Sequence, residues 1–144
     1  MDESEIAHNF GKLHARHAGI LIRYLVECRR ASDGDLDLFL IMATIGERTF
    51  NERYAPDAMS LEEFVGGTVG KIEPLPINAQ SISDFTGIPR ETVRRKIDTL
   101  LKKGWVKRDQ KNYFTATDDV NHAFARLTEI TQKYLQDFNS SVNK

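Results

Sequence analysis

Cysteine is almost absent from this sequence of 144 residues, which contains only Cys28. A single cysteine excludes an internal disulfide framework and is typical of a reducing compartment. No apolar run approaches the roughly 20 residues that a membrane-spanning helix needs. The first ten residues, MDESEIAHNF, are acidic and polar, unlike a secretion signal. We therefore expect a cytoplasmic protein without a membrane segment.

Catalytic and metal-binding arrangements are also missing from the sequence. There is no HExxH motif, no pair of cysteines and no Ser-His-Asp set. The carboxylates of Glu62–Glu63 and of Asp118–Asp119 are adjacent in sequence, so their side chains diverge. His14 and His17 share one face of a helix, but a metal site would need a third ligand. We expect no enzyme activity, no catalytic residue, no cofactor and no bound metal.

The charge of the chain is close to balanced, with a formal net charge of −1, but its distribution is uneven. Residues 1–76 carry 8 basic and 13 acidic side chains, whereas residues 87–113 carry nine basic and three acidic ones. A basic block attracts phosphates whatever the nucleotide sequence, and acidic surroundings discourage wrong contacts. Residues 87–113 are therefore the first candidate for a nucleic-acid surface.

The first half of the chain is predicted to form two helices and a loop. One long helix covers the first 30 residues, because apolar positions recur every three or four residues without an intervening proline. The residues Ser-Asp-Gly-Asp at 32–35 offer a capping-box start for a second helix near Leu36–Tyr54, which is apolar on nearly all sides. Residues 55–76 contain several glycines and prolines and are predicted to form a loop insertion, in which Ser60 can cap a short helix.

Two shorter helices separated by a glycine are predicted next. Asn78 caps a helix at Ala79–Thr86, with Ile82 and Phe85 facing inward. Gly87 ends that helix, and Pro89 opens another one that runs to about Lys103, where Gly104 stops it.

A hairpin and a final helix complete the prediction. Val106–Arg108 and Tyr113–Thr115 are short strand candidates around a turn-rich quartet. Trp105 is expected to be buried against this hairpin. Thr117 is expected to cap the last helix, with Asp118 and Asp119 in its first turn.

This order of elements is that of a winged helix-turn-helix. We predict a single regulator chain, 1–144, that is mainly α with a small β-hairpin wing. Its winged helix-turn-helix core covers residues 36–117, with the loop insertion at 55–76. Residues 1–31 and 118–140 are predicted to be dimerisation helices, because each carries more apolar surface than a compact core needs and dimers match two-fold DNA sites. The expected contacts between copies are Ile6, Phe10, Leu13, Phe124, Leu127 and Phe138.

The helix that begins at Pro89 carries the candidate recognition surface. Val93, Ile97, Leu100 and Leu101 form one inward stripe, which turns the opposite face toward solvent. Arginine on such a face can hold guanine through two hydrogen bonds, and a carboxylate can accept one from cytosine. Basic residues of the hairpin are suited to phosphates. The candidate DNA-binding residues are Arg90, Glu91, Thr92, Arg94, Arg95, Lys96, Thr99, Lys107, Arg108 and Lys111.

The string Arg-Glu-Thr-Val-x-Arg at positions 90–95 is similar to the recognition helix of the catabolite-activator (Crp/Fnr) family of bacterial regulators. This resemblance implies that Arg90, Glu91 and Arg95 touch bases. The plan of helices before and after the winged core resembles the MarR family. The sequence departs from the first family in lacking the upstream strands of a cyclic-nucleotide β-roll. It also has Pro89 where serine is common, which removes a side-chain cap at a cost of about 1 kcal/mol.

The sequence thus predicts a transcriptional regulator that binds double-stranded DNA sequence-specifically as a homodimer; its effector ligand stays unknown. Two alternatives remain open. One is a winged-helix protein-interaction module whose basic surface meets an acidic partner, and the other is a DNA binder of replication or plasmid maintenance. RNA is disfavoured because no aromatic stacking platform stands out.

Overall fold

The computed structural model describes residues 1–142 and is mainly helical, with one small antiparallel sheet, which confirms the predicted fold class. The elements follow the chain in this order: α1 (Glu3–His8), α2 (Phe10–Ala31), α3 (Leu36–Thr49), α4 (Leu61–Val65), β1 (Ile77–Asn78), α5 (Ala79–Thr86), α6 (Arg90–Lys103), β2 (Val106–Arg108), β3 (Tyr113–Ala116), α7 (Asp119–Ala123) and α8 (Ala125–Val142). None of these helices combines the length and apolar character that crossing a bilayer requires.

The main core lies between α3, α5, α6 and the sheet. Its centre consists of fully buried aliphatic side chains, among them Ile41 and Ile45 of α3, Ile82 of α5 and Val93 and Leu100 of α6. Each comes from the apolar stripe of its own helix, so burial of these stripes fixes the angle at which the three helices meet.

The sheet has the strand order β1-β3-β2, with both pairings antiparallel. Val106 pairs with Ala116 and Arg108 with Phe114, which forms the predicted hairpin. On the other edge of β3, Ile77 pairs with Phe114. Strand β1 was not predicted, because a two-residue strand shows no alternating pattern. Its effect is to join the start of α5 to the hairpin.

The predicted long N-terminal helix is interrupted at Asn9, which separates α1 from α2. The side-chain amide of Asn9 donates to the carbonyl of Glu5 at 3.0 Å. Asparagine disfavours helix interiors because its side chain competes for backbone groups in this way. The expectation of one unbroken helix is therefore wrong by a single residue.

The second helix is also shorter than predicted, since α3 ends at Thr49 instead of near Tyr54. Buried Asn51 stops it: its amide donates to the carbonyls of Arg48 and Glu73, and its oxygen accepts from the N–H of Tyr54. At the other end of α3, Asp35 alone caps the helix by accepting from the N–H of Leu38 at 2.9 Å. The predicted capping box is absent, because the third helical residue is leucine.

The final helix is divided at Phe124, where the chain leaves α7 and enters α8. The ring of Phe124 packs against Trp105, with centroids 5.1 Å apart, and against Phe39 at 5.9 Å. The residue preceding α7 is Asp118, so the prediction that Thr117 caps this helix is wrong. The Thr117 hydroxyl donates instead to the carbonyl of Gly104 at 2.5 Å.

The predicted dimerisation helices pack on each other within the chain, α2 against α8. His17 and Tyr134 mark this contact, with the ring Nδ1 3.3 Å from the phenol oxygen. Leu127 is buried and Phe124 is part of the inner packing, so these two proposed dimer contacts lie inside the chain. Ile6, Phe10 and Phe138 lie exposed and Leu13 half-buried.

Cys28 lies fully buried on the inner face of α2. Burial raises the pKa of its thiol to about 11, so the thiolate is scarce at neutral pH. This is the packed, unreactive cysteine that its place in an apolar stripe predicts.

Candidate nucleic-acid interface

The helix-turn-helix consists of α5, a three-residue turn and α6. The side chain of Asn78 caps α5 by accepting from the N–H of Ser81 at 2.9 Å. Gly87 then adopts a left-handed conformation with φ of 76°, which glycine permits at no steric cost. The hydroxyl of Ser83 donates to the carbonyl of Ile88 at 2.7 Å and fixes the turn. The predicted cap, glycine turn and second helix are all confirmed.

The inner face of α6 is anchored in the core by Val93, Ile97 and Leu100, which are all buried. Pro89 precedes the helix and provides no side-chain cap, as predicted. The opposite face is open to solvent: Thr92 is half-buried, and the exposed candidates are Arg90, Glu91, Arg94, Arg95 and Thr99. The apolar stripe therefore determines which polar residues a ligand can reach.

The hairpin projects three exposed basic residues, Lys107, Arg108 and Lys111. Its turn is held by the carboxylate of Asp109, which accepts from the N–H groups of Lys111 at 2.8 Å and Tyr113 at 3.0 Å. Asn112 adopts a positive φ of 62°, a conformation that asparagine tolerates better than most residues. The turn therefore holds the backbone of Lys111 in a fixed position.

The start of α5, the helix α6 and the hairpin enclose one groove of about 370 Å³. Four cationic side chains line it: Arg90 and Arg94 from α6, and Arg108 and Lys111 from the hairpin. Gln80, which was not among the predicted site residues, also lines this groove. Its side-chain oxygen accepts from the guanidinium of Arg90 at 2.6 Å. The only sequence signal for Gln80 is that it is a polar residue in the first turn of the short helix α5.

The candidate residues Glu91 and Arg94 are already paired with each other. Two hydrogen bonds join them, at 2.5 and 3.0 Å, and Arg94 also reaches Asp98 at 3.4 Å. The hydrogen bond and charge of Arg94 hold the pKa of Glu91 below its ordinary value. Arg95, by contrast, makes no side-chain hydrogen bond or ion pair within residues 1–140, although its charge also helps to lower the pKa of Glu91.

Lys96, a candidate DNA-binding residue predicted to flank the exposed face of α6, is engaged by α3. Its side chain is only 18% exposed and forms an ion pair with Asp35, the residue that caps α3. Burial opposes the ionisation of Asp35, but hydrogen bonds from Lys96 and from the N–H of Leu38 outweigh it, and the pKa of Asp35 lies below its ordinary value. Lys96 thus fixes α6 to the start of α3, and its partner, 61 residues away, cannot be recognised from the sequence pattern.

We expect Asp35→Asn to lower the free energy of unfolding at neutral pH by about 1 kcal/mol, because it removes the charge that pairs with Lys96 while asparagine can still cap α3. Because the pKa of Asp35 is lower in the folded than in the unfolded protein, its ionised carboxylate stabilises the fold at pH values above the ordinary carboxyl pKa. This stabilisation is lost as the pH falls through the pKa of the folded state. The difference between wild type and variant should therefore shrink below about pH 4. Urea denaturation at both pH values measures this. Asp37→Asn, in the same first turn, is the control; an equal deficit at acidic and neutral pH would contradict the ion pair.

Two aromatic residues differ from the prediction: Phe85 does not face inward, and Trp105 packs against the core that includes the hairpin but is only half-buried. Phe85 was expected to face inward with Ile82, but its side chain is 78% exposed. The spacing of three residues from Ile82 favours a shared face, but the core that covers Ile82 does not extend to Phe85. Trp105 is half-buried, and its ring contacts are Phe124 and the ammonium group of Lys103, 4.8 Å above the ring.

A metal site would be a cluster of histidine, cysteine or carboxylate side chains. Among residues 1–142, no three histidine, cysteine or carboxylate side chains come together as a metal site would require.

Comparison with known proteins gives one informative result. No protein family and no curated protein matches the chain. Among solved structures, it is similar to the activation domain of the phage T4 transcription factor MotA. The likeness is one of fold. The TM-score is 0.50 and the sequence identity 15%, over 84% of this chain and 99% of that domain.

Proposed function

We propose that this chain is a sequence-specific double-stranded DNA-binding protein that regulates transcription as a homodimer. The observation that supports it best is the groove between α6 and the hairpin, where Arg90, Arg94, Arg108 and Lys111 converge. Cations from a helix and from an adjoining hairpin suit a duplex, in which a groove lies beside a phosphate backbone. A fold similar to that of the activation domain of a transcription factor agrees with a role in transcription.

The candidate residues other than Thr92 have four different roles under this proposal. Arg95 and Thr99 read base edges, with Arg95 free to approach guanine. The four groove cations and Lys107 hold phosphates, and Arg90 is oriented for this by Gln80. Glu91 contributes to specificity only where Arg94 binds a base or a phosphate and releases the Glu91 carboxylate. Lys96 positions α6 through its ion pair with Asp35.

Binding should depend steeply on salt if these cations meet phosphates. We expect the logarithm of the association constant to fall with the logarithm of salt concentration by about 0.9 per neutralised phosphate. Lys111→Ala should weaken all duplexes alike and reduce this slope by about 1. Fluorescence anisotropy across a salt series measures both effects. Lys12→Ala, an exposed lysine of α2, is the control; an affinity indifferent to salt would contradict phosphate binding.

The dimer surface that we propose is the outer face of α2. Leu21, Ile22, Leu25 and Val26 are exposed there, and Ile22 reaches 59%, although the inner face of the same helix is already covered by α3 and α8. A helix that is apolar on both faces is commonly buried on both. A second copy, related by a two-fold axis, would cover this face and present two α6 helices to one duplex.

We expect light scattering at micromolar concentration to give twice the mass of one chain. The double substitution Ile22→Asp and Val26→Asp should yield a folded monomer, because both side chains are exposed and a charge on them cannot enter an apolar interface. Leu61→Asp, on exposed α4, is the matched control and should stay dimeric. A wild-type monomer, or a dimer unaffected by the double substitution, would contradict this surface.

A protein-interaction module is the second candidate function, and exposed Phe85 favours it. A phenylalanine this exposed is unusual on a free surface, and aromatic side chains are common anchors of protein interfaces. A folded protein that shows no preference among duplexes would support this second function over the first.

A further inference from the structure

A half-open cavity of about 310 Å³ lies between α3, the segment 64–68 and the start of α8. Four phenylalanine rings line it: Phe39, Phe50, Phe64 and Phe124. Phe50 and Phe64 meet edge to face, with centroids 5.1 Å apart, and Phe39 and Phe124 do so at 5.9 Å. This volume is at the lower end of the range of small-molecule sites, and an apolar aromatic lining is typical of them.

The wall contributed by the segment 64–68 is held in place by specific contacts. The carboxylate of Asp118 accepts from the N–H groups of Thr68 at 2.9 Å and Val69 at 3.4 Å. Gly67 has a φ of 111°, and a Cβ at this position would lie 2.9 Å from the same carboxylate. Glycine is therefore required for this close approach, and this wall of the cavity is fixed by specific contacts with Asp118.

The charge of the lining restricts what the cavity can accept. Its charged residues are the carboxylates Glu47 and Asp118, and no lysine, arginine or histidine lines it among the described residues. Asp118 is engaged by the backbone, whereas Glu47 has no side-chain partner within residues 1–140. Carboxylates repel an anion, and aromatic rings attract a cation through their faces.

We propose that this cavity binds a small aromatic molecule that is neutral or carries one positive charge. The occupant would lie among the four phenylalanine rings, and a positive group would point toward Glu47. Anionic aromatics of the same size would bind more weakly, because the carboxylates repel them.

The position of the cavity links its occupant to the hairpin. Ala116, the last residue of β3, lines the cavity, and its N–H donates to the hydroxyl of Thr49 at 2.7 Å. Ala116 also pairs with Val106 of the hairpin. An occupant that shifts this strand end would shift the basic groove, so the molecule would act as an effector of duplex binding; this second step rests on the proposed function.

Calorimetric titration of the full chain with three naphthalene probes tests the site without DNA. The probes are 1-naphthylmethylamine, which is protonated at neutral pH, neutral 2-naphthol and anionic 1-naphthoate. We expect the cation and the neutral probe to bind, and the naphthoate to bind at least about fivefold more weakly than the cation. Glu47→Gln should reduce that preference. Ala43→Phe, at the rim of the cavity, should weaken both binding probes at least about tenfold, whereas Ala125→Phe, an exposed alanine of α8 outside the lining, should not.

Several outcomes would overturn the site: no saturable binding of any probe, equal binding of cation and anion, or binding unaffected by Ala43→Phe. If a probe converts the dimer to a monomer, the cavity is the contact site of a second copy of the chain, which would also contradict a small-molecule site. With the cationic probe at saturation, duplex affinity should change at least about threefold, a modest coupling. Probe binding with unchanged duplex affinity would refute the effector step alone, and probe binding without any duplex binding would refute the proposed function alone.

Discussion

Arg95→Ala is expected to weaken binding to the preferred duplex by about 1–3 kcal/mol, roughly a five- to 150-fold loss. The reason is that Arg95 is exposed on α6 and makes no side-chain hydrogen bond or ion pair in the described part of the chain, so its guanidinium is available to a base. Buried Val93 and Ile97 on the other side of the helix fix its direction. Competition titrations with matched and scrambled duplexes measure both the loss and the change in discrimination.

Two controls separate base reading from general charge. Arg95→Lys keeps the charge but removes the two-pronged hydrogen bond, so it should lose discrimination while retaining scrambled-duplex affinity. Arg16→Ala, an exposed arginine on α2, should change neither. If Arg95→Ala keeps the wild-type ratio between matched and scrambled duplexes, α6 does not read sequence through this residue.

Ile97→Ala is expected to lower the free energy of unfolding by about 2–5 kcal/mol. Ile97 is buried in the layer where α6 meets the core, so truncation removes apolar contacts and leaves a cavity. Urea denaturation followed by circular dichroism measures the change. Thr99→Ala, two residues further on the exposed face, should change stability by less than about 0.5 kcal/mol. Equal effects of the two substitutions would show that the inner and outer faces of α6 are wrongly assigned.

The parts of the fold that the sequence predicts are those fixed by neighbouring residues. Asn78, Gly87 and Gly104 each begin or end a helix through contacts within a few positions, and they do so where expected. The apolar stripe of α6 likewise follows from helical periodicity alone. Once this stripe is placed inward, the exposure of the basic residues on the other side of α6 can be predicted as well.

The wrong predictions concern features that depend on a contact with a residue far away in the sequence. Lys96 is engaged by Asp35, and α3 stops early because Asn51 reaches Glu73. The break at Phe124 accompanies ring contacts with residues of α3 and the hairpin base. Periodicity cannot report such pairings, because they depend on where the elements lie after packing.

Selection of bound duplexes from a random pool tests the central claim most directly. The wild-type chain, at physiological ionic strength, should enrich a consensus made of two inverted half-sites about 10 base pairs apart, one for each α6 of the dimer. Arg95→Ala in parallel should yield a consensus relaxed at one position in each half-site. A selected pool that stays random with the wild-type protein would contradict sequence-specific DNA binding.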